Sequence, residues 1–313
     1  MRKLKVIHIL LIFCISMVAL SGCQKPESSS LRIAVLPILD TLPLYVAEAE
    51  GYFTARGINV ELIPAASAAE RDQLLQAGQI DGFITDLVAL ALYNRDATQV
   101  VAVRYAMVPT ADFAQFRVLA SAQSGFTSAE DVRDVPIGVS EGTVIEYVTH
   151  RLLQAEGLPT DAIATLAVPK IPDRMALLSA GELSAATLPE PLASLAMQQG
   201  AVVIADDTAH PEISCSVYAF RKDVLDQQPQ TVRAFLAAID EASAALNADK
   251  SRWSTLLSEK GLVPVPLAGT YTLPDYPADV IPTEAQFADA VAWLQNTGRL
   301  TTTPAYEDSV ESR

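Results

Sequence analysis

Residues 40–61 read DTLPLYVAEAEGYFTARGINVE, and the pattern within them decides the fold of the whole chain. A proline near the start of an apolar stretch favours a helix over 43–50, and Gly51 marks its end. Residues 59–64 alternate between apolar and polar side chains, as a strand does. Since the apolar run 31–37 precedes them, this part of the chain predicts a strand–helix–strand unit.

Strand-like and helix-like segments alternate along much of the chain that follows. A Ser67-Ala-Ala-Glu70 pattern predicts the N-terminus of one helix, and Gly78 its end. Repeated units of this kind predict an α/β fold with mainly parallel sheets, flanked by helices and binding ligands beyond the carboxyl ends of their strands. The other predicted strands are 81–85, 99–108, 136–139, 162–168 and 183–187, and the other predicted helices are 87–93, 143–156 and 172–180.

An internal repeat suggests two similar halves. Residues 71–80, RDQLLQAGQI, and residues 174–183, RMALLSAGEL, are identical at five of ten positions. Both segments run into a predicted strand and an Ala/Leu-rich helix. The repeat predicts two lobes that face each other across a cleft, although glycine-capped amphipathic helices also resemble one another without a common origin.

The first 23 residues have the layout of a secretory signal. Basic residues precede the apolar run 6–20, and the small residues of Leu20-Ser-Gly-Cys23 follow it. The run is shorter than the roughly 20 residues that span a bilayer. We therefore predict residues 1–22 to be a signal peptide, cleaved before Cys23.

The sequence around Cys23 resembles the lipobox of bacterial lipoproteins, in which the cysteine carries lipid. The alternative is an ordinary signal peptide that contains a cysteine. Residues 24–30, QKPESSS, are polar and of low complexity, so 23–30 would be the lipidated residue and a flexible tether. We expect a body outside the cytoplasm that is held to the membrane only through Cys23.

Charge and cysteine content exclude several classes of function. The net charge is −15 before any loss of the basic N-terminus, which disfavours binding to nucleic acid or to anionic lipid surfaces. With Cys14 in the signal and Cys23 as the anchor, Cys215 has no partner for an intramolecular disulfide. Cys215 lies in the strand-like run 213–220, so we predict a small core residue.

Five motifs in order resemble one known family. The first is residues 40–61, and the others follow at matching spacing: 77–83 AGQIDGF, 137–143 IGVSEGT, 188–194 LPEPLAS and 229–238 PQTVRAFLAA. Together they resemble solute-binding proteins of ABC importers for alkanesulfonates, taurine, thiamin pyrimidine precursors and related vitamins. The resemblance covers residues 31–300 and is specific for the family rather than for a ligand.

The resemblance implies a bilobal, type II periplasmic-binding-protein fold in which the chain crosses between lobes near 121–126 and 208–213. Lobe I would then contain 31–121 and 213–313, and lobe II 122–212. The implied partners are a permease, its ATPase and a small-molecule ligand. No cofactor is implied, and we expect a monomer.

Candidate ligand contacts are the polar residues at predicted strand ends, placed by their position in the family. Helix capping is the alternative role for Asp40, Thr41 and Asp86. Glu190 stands between two prolines that stiffen its backbone, and Tyr218 could stack on a ring or donate its hydroxyl. The full set is Asp40, Thr41, Thr85, Asp86, Ser140, Gly142, Thr143, Glu190 and Tyr218.

A different class of function competes with this interpretation. Residues 138–142, GVSEG, match the G-x-S-x-G of serine hydrolases, with Asp206, Asp207 and His210 downstream. However, that acid and histidine share one loop, whereas a hydrolase takes them from separate strand ends. His150 falls inside the predicted helix 143–156, where we expect it at the surface. The same glycine-rich loop also suits ligand binding through backbone N–H groups.

The candidate contacts are carboxylates, hydroxyls and a tyrosine, with no arginine or lysine. This favours a neutral or cationic heteroaromatic vitamin or precursor, such as a flavin or a thiamin-type pyrimidine, with sulfonates as the alternative. No His, Cys and carboxylate cluster has metal-ligand spacing, and no Walker-type loop is present, so the energy for import must come from the partner.

Overall fold

The structure is a computed structural model that describes residues 29–277 and 279–311. The predicted signal peptide, Cys23 and all but the last two tether residues lie outside this range. The described residues form two five-stranded sheets flanked by helices, which confirms the predicted α/β class.

The first sheet has the strand order β2-β1-β3-β10-β4. β1 runs parallel to β2 and β3, and β10 runs antiparallel to β3 and β4. These strands are β1 Ser29–Val35, β2 Ile58–Pro64, β3 Gly82–Asp86, β4 Val100–Met107 and β10 Ser216–Arg221.

The second sheet repeats this arrangement in the order β7-β6-β8-β5-β9. β6 runs parallel to β7 and β8, and β5 runs antiparallel to β8 and β9. In each sheet the antiparallel strand is the first strand that the chain forms after it crosses from the other sheet. These strands are β5 Phe116–Ala120, β6 Ile137–Val139, β7 Thr165–Ala167, β8 Ala185–Pro189 and β9 Val202–Asp206.

The positions of the crossings differ in part from the expectation. The first crossing lies between β4 and β5, at residues 108–115, so the position expected near 121–126 is too late. β5 is a short, mostly apolar strand, and its sequence does not indicate which sheet it joins. The crossing before it was therefore placed too late. The chain returns through residues 207–215, between β9 and β10, a span that includes 208–213.

The five helices predicted from the sequence begin and end within two residues of the expected positions. Local capping explains several N-termini: Ser67 Oγ accepts from Glu70 N at 3.1 Å, and Thr143 Oγ1 accepts from Ile145 N at 3.2 Å. The helices are α1 Leu42–Ala49, α2 Tyr52–Ala55, α3 Ala68–Gln76, α4 Leu87–Tyr93, α5 Val144–Ala155, α6 Ile171–Ala180, α7 Leu192–Gln198, α8 Lys222–Gln227, α9 Pro229–Ala248, α10 Ser254–Glu259, α11 Glu284–Asn296 and α12 Tyr306–Ser309.

The sequence repeat corresponds to a structural repeat. Arg71 of α3 donates through Nη1 to the carbonyl of Ile84 in β3 at 3.0 Å. Arg174 of α6 donates through Nε to the carbonyl of Thr187 in β8 at 2.8 Å. Both arginines are buried, and each joins its helix to the equivalent strand of its own sheet.

Candidate functional site

A cavity of about 140 Å³ lies between the two sheets. The first sheet contributes residues beyond β1, at the end of β3 and at the start of β10. The second contributes residues at the start of β5, the end of β8 and the N-termini of α5 and α6. Its lining is mostly apolar, with side chains such as Ile38, Phe116 and Ile171. This position agrees with the expectation that ligands bind beyond the carboxyl ends of parallel strands.

Asp40 lines the cavity, whereas the hydroxyl of Thr41 closes a turn. The Asp40 carboxyl is buried, and burial raises its pKa from the usual value. Gln115 Nε2 lies 3.4 Å from Asp40 Oδ2, so this contact joins the end of the first crossing to the first sheet. Thr41 Oγ1 donates to the carbonyl of Ile38 at 2.6 Å.

Thr85 and Asp86 also line the cavity, at the end of β3. Thr85 Oγ1 is buried and has no hydrogen-bond partner among the described residues. Asp86 accepts from Ala89 N at 2.9 Å and so caps α4. Burial raises the pKa of Asp86, while the cap and the charge of Arg71 act against that increase.

Arg71 lines the cavity and was missed by the sequence analysis, which expected no arginine there. Its guanidinium also contacts Asp72 Oδ1 through Nε and Nη2, and Nη2 donates to Tyr93 Oη at 2.8 Å. The repeat in the sequence singled out this residue, but periodicity alone placed it on a helix rather than at a ligand site.

Glu190 lines the cavity at the end of β8, and its charge is compensated. Arg117 of β5 forms an ion pair with Glu190 Oε1. Tyr271 Oη donates to Glu190 Oε2 at 3.0 Å. Glu190 therefore presents less negative charge to a ligand than its sequence position suggests.

The loop that contains Ser140, Gly142 and Thr143 has its polar groups engaged internally. Ser140 Oγ donates to Pro169 O at 2.8 Å and accepts from Arg174 Nη1 at 3.2 Å. Gly142 N donates to Glu146 Oε2 at 2.5 Å, and Thr143 Oγ1 donates to Ser140 O at 2.6 Å. The cavity is lined instead by Val144 and Ile145, which follow this loop.

Tyr218 is buried within β10 and is not part of the cavity lining. Its ring packs edge-on against Phe235, with 6.1 Å between the ring centroids. The hydroxyl has no hydrogen-bond partner among the described residues, and burial raises its pKa. Cys215, the residue before β10, is buried as predicted and lines the cavity.

The family comparison matches residues 24–256 to the NMT1-like family. The chain belongs to this family. A comparison with curated protein sequences finds no match.

Solved structures with the same fold confirm the architecture of this NMT1-like chain. The periplasmic aliphatic sulphonate binding protein SsuA from Escherichia coli has a TM-score of 0.75 at 18% identity, covering 91% of this chain and 92% of that one. The alkanesulfonate-binding protein SsuA from Xanthomonas axonopodis pv. citri, bound to MOPS, has a TM-score of 0.74 at 18% identity, covering 91% and 99%. The desulfurization enzyme DSZB has a TM-score of 0.65 at 15% identity, covering 89% and 95%.

The fold is thus shared by binding proteins and an enzyme. The hydrolase alternative therefore depends on whether a histidine contacts Ser140. In the NMT1-like chain the two described histidines have other partners. His150 Nδ1 accepts from Trp293 Nε1 at 3.0 Å, and His210 Nδ1 lies 3.3 Å from Glu212 Oε1. His150 is also buried, so the expected surface position was wrong: α11 packs over that face of α5.

Residues 29–277 and 279–311 contain no group of three or more His, Cys, Asp or Glu side chains placed to hold a metal ion. Within the same ranges, every helix is too short or too polar to cross a bilayer.

Proposed function

We propose that this protein is the solute-binding component of an ABC importer and that it captures a small organic sulfonate, or a related oxyanion with an apolar body. The observation that supports this proposal best is a mostly apolar cavity lined from both sheets at their strand ends. Two solved structures of the same fold are named as sulfonate-binding proteins. The implied partners are a membrane permease and its ATPase.

The charges around the cavity support an anion better than the sequence indicated. The sequence predicted that the carboxylates of Asp40, Asp86 and Glu190 would repel an anion. Glu190 is paired with Arg117, and burial raises the pKa of Asp40 and Asp86, which favours their neutral forms. Arg71 adds a positive charge to the lining. Neutral carboxyls and hydroxyls can donate hydrogen bonds to sulfonate oxygens.

A heteroaromatic vitamin or precursor is the second candidate, and a specific observation favours it. Gln115 Oε1 and Thr85 Oγ1 are buried without partners among the described residues, and no positively charged group is among the causes that shift the pKa of Asp40. Unpaired buried acceptors cost free energy, which a ring with N–H donors would recover. The two candidates therefore differ in the sign of their dependence on Asp40.

Binding of a panel of ligands to wild-type protein and to Asp40→Asn would separate the candidates. The panel should contain taurine, an alkanesulfonate, MOPS, a thiamin-type pyrimidine and riboflavin. Stabilisation by a true ligand grows as RT ln(1 + [L]/Kd), about 2.7 kcal/mol at a hundredfold excess over Kd. For a sulfonate, Asp40→Asn should maintain or raise affinity, because a potential negative charge is removed.

For a donor-rich ring, the same variant should lower affinity by roughly tenfold, the effect of one lost charge-assisted hydrogen bond. Asp112, on the exposed part of the first crossing, offers the matched control Asp112→Asn. Stabilisation by a vitamin and by no sulfonate would overturn the sulfonate proposal and leave the binding-protein class standing. Stabilisation by no small solute would count against both.

We further propose two lobes, one built on the first sheet and one on the second, that close on the ligand. Asp40, Thr85 and Asp86 would contact it from the first lobe, and Glu190 from the second, through the atoms that line the cavity. The ligand would favour the closed form because only that form offers both sets of contacts.

Lipidation at Cys23 and export of the body remain part of this proposal, on the sequence pattern alone. Cys23→Ser should abolish incorporation of labelled fatty acid and leave unprocessed or released protein. Persistence of label on the Cys23→Ser protein would contradict the anchor. The test is independent of ligand identity, because it reads the modification directly.

A further inference from the structure

Asp207 is the first residue of the second crossing, and its side chain is completely buried. Asp207 Oδ1 accepts from Gln115 N at 2.8 Å, and Oδ2 accepts from Phe116 N at 3.0 Å. Oδ2 also accepts from Ser214 Oγ. One carboxylate therefore joins the end of the first crossing, the start of β5 and the end of the second crossing.

The segments that Asp207 holds lead directly into the cavity. Gln115 and Phe116 line it, as do Cys215 and Ser216 immediately after Ser214. Gln115 O in turn accepts from Glu190 N at 3.0 Å, so the backbone of Gln115 is held on both sides. Asp207 itself is not among the cavity-lining residues and acts only through its neighbours.

We propose that Asp207 is the positioning residue of the hinge: it fastens the two crossings together and thereby sets the position of Gln115 in the ligand cavity. This role rests on the proposed function, because a hinge matters only if the two sheets close on a solute. It also gives a role to Asp207, which the sequence suggested, together with Asp206, as the acid of a catalytic triad.

The contacts of the Asp207 carboxyl indicate that its hold on the two crossings depends on its charge. The described residues place only neutral donors on this carboxyl, and burial raises its pKa to about 6. The negative charge of Asp206, on the same turn, also raises the pKa of Asp207, and Asp206 itself lies 4.0 Å from Arg117 of β5. An ionised carboxylate accepts hydrogen bonds more strongly than a neutral carboxyl does.

Asp207→Asn compared with Asp206→Asn provides the test. Asp206 is the adjacent residue of the same type, but its carboxylate accepts hydrogen bonds from Thr208 N and Oγ1, two residues along the same segment. Without ligand, hydrogen exchange at the Gln115 and Phe116 amides should accelerate about tenfold or more in Asp207→Asn, since an amide cannot accept from all three donors. Asp206→Asn should leave both amides unchanged.

A pH profile separates this role from a merely structural one. The bonds from Gln115 N and Phe116 N lower the pKa of this buried carboxyl, so a local opening that breaks them while the carboxyl stays buried becomes less favourable once the carboxyl is ionised. After correction for intrinsic exchange, protection of the Gln115 amide against local opening in the wild type should therefore increase as pH rises through about 6, whereas global unfolding, which exposes the carboxyl to water, becomes easier as pH rises towards 6. Asp207→Asn should show no such step. If it folds poorly, Ser214→Ala, which removes one of the three bonds, should produce a smaller acceleration in the same direction.

Equal exchange at these amides in all variants, or a pH step that survives in Asp207→Asn, would overturn the hinge role. The exchange measurements need no ligand, so their outcome is independent of the proposed function. With a ligand in hand, Asp207→Asn should weaken binding severalfold while Asp206→Asn does not. Exchange effects without an affinity change would refute the link to the cavity.

Discussion

At the scale of single residues, His150 shows how packing changes the behaviour of a side chain. It is buried in α5 and accepts a hydrogen bond from Trp293 of α11. Burial lowers its pKa from 6.5, and the positive charges of Arg299 and Arg151 act in the same direction against Glu146. The folded state therefore binds this proton less tightly than the unfolded state, and stability falls as pH drops below that value.

His150→Gln keeps an acceptor for Trp293 but cannot take up the proton. Between about pH 7.5 and about pH 5.5, the wild type should lose stability relative to this variant. Urea unfolding at several pH values would measure the difference. Parallel pH curves for the two proteins would show that His150 does not titrate as its burial implies.

Ser140 tests the hydrolase alternative at the same scale. Its hydroxyl bonds Pro169 O and Arg174 Nη1, and an alanine side chain at this position would lose both bonds while Arg174 Nη1 retains Val168 O at 2.8 Å. Ser140→Ala should therefore cost roughly 0.5–1.5 kcal/mol of stability. Neither protein should hydrolyse a panel of esters; activity that disappears in the variant would establish a catalytic serine.

At the scale of elements, Asp86 combines two roles at the junction of β3 and α4. It caps the helix through Ala89 N and also lines the cavity. Asp86→Ala should cost about 1 kcal/mol of stability, whereas Asp86→Asn should cost much less because asparagine caps equally well. Thermal unfolding of the two variants would show this difference. Equal losses would mean that the charge, not the cap, stabilises this junction.

At the scale of the whole molecule, Tyr271 reaches from the C-terminal part of the chain to the second sheet. Its hydroxyl donates to Glu190 at the end of β8, while nearby Tyr276 donates to Leu39 O beside the first sheet, at 3.0 Å. The C-terminal part of the chain thus bridges the cavity. A bridge of this kind should favour the closed arrangement of the two sheets.

Tyr271→Phe removes this hydroxyl and keeps the ring. It should weaken ligand binding by up to about tenfold, because the hydrogen bond from Tyr271 to Glu190, which would join the two proposed lobes, is lost. Solution scattering of the wild type should show compaction on ligand addition, and the variant should need more ligand to reach it. Binding without any compaction would refute the closing mechanism for both proteins.

Local patterns in the sequence determined the class of the fold and the positions of most strands and of five helices. They succeeded because periodicity, capping by Ser67 and Thr143, and glycine stops act over a few residues. The pairing of Arg71 with Arg174 as a repeat was also visible in sequence. Its meaning, two equivalent helix-to-strand contacts, emerged only in the structure.

Tertiary structure alone decided which side chains face the cavity and which charges are compensated. Arg117 neutralises Glu190, Arg71 enters the lining, and the chain leaves the first sheet before β5. Asp207 gathers donors about ninety residues away in the chain. Such contacts join distant segments, and their energies depend on burial and separation in space, neither of which a local pattern of residues contains.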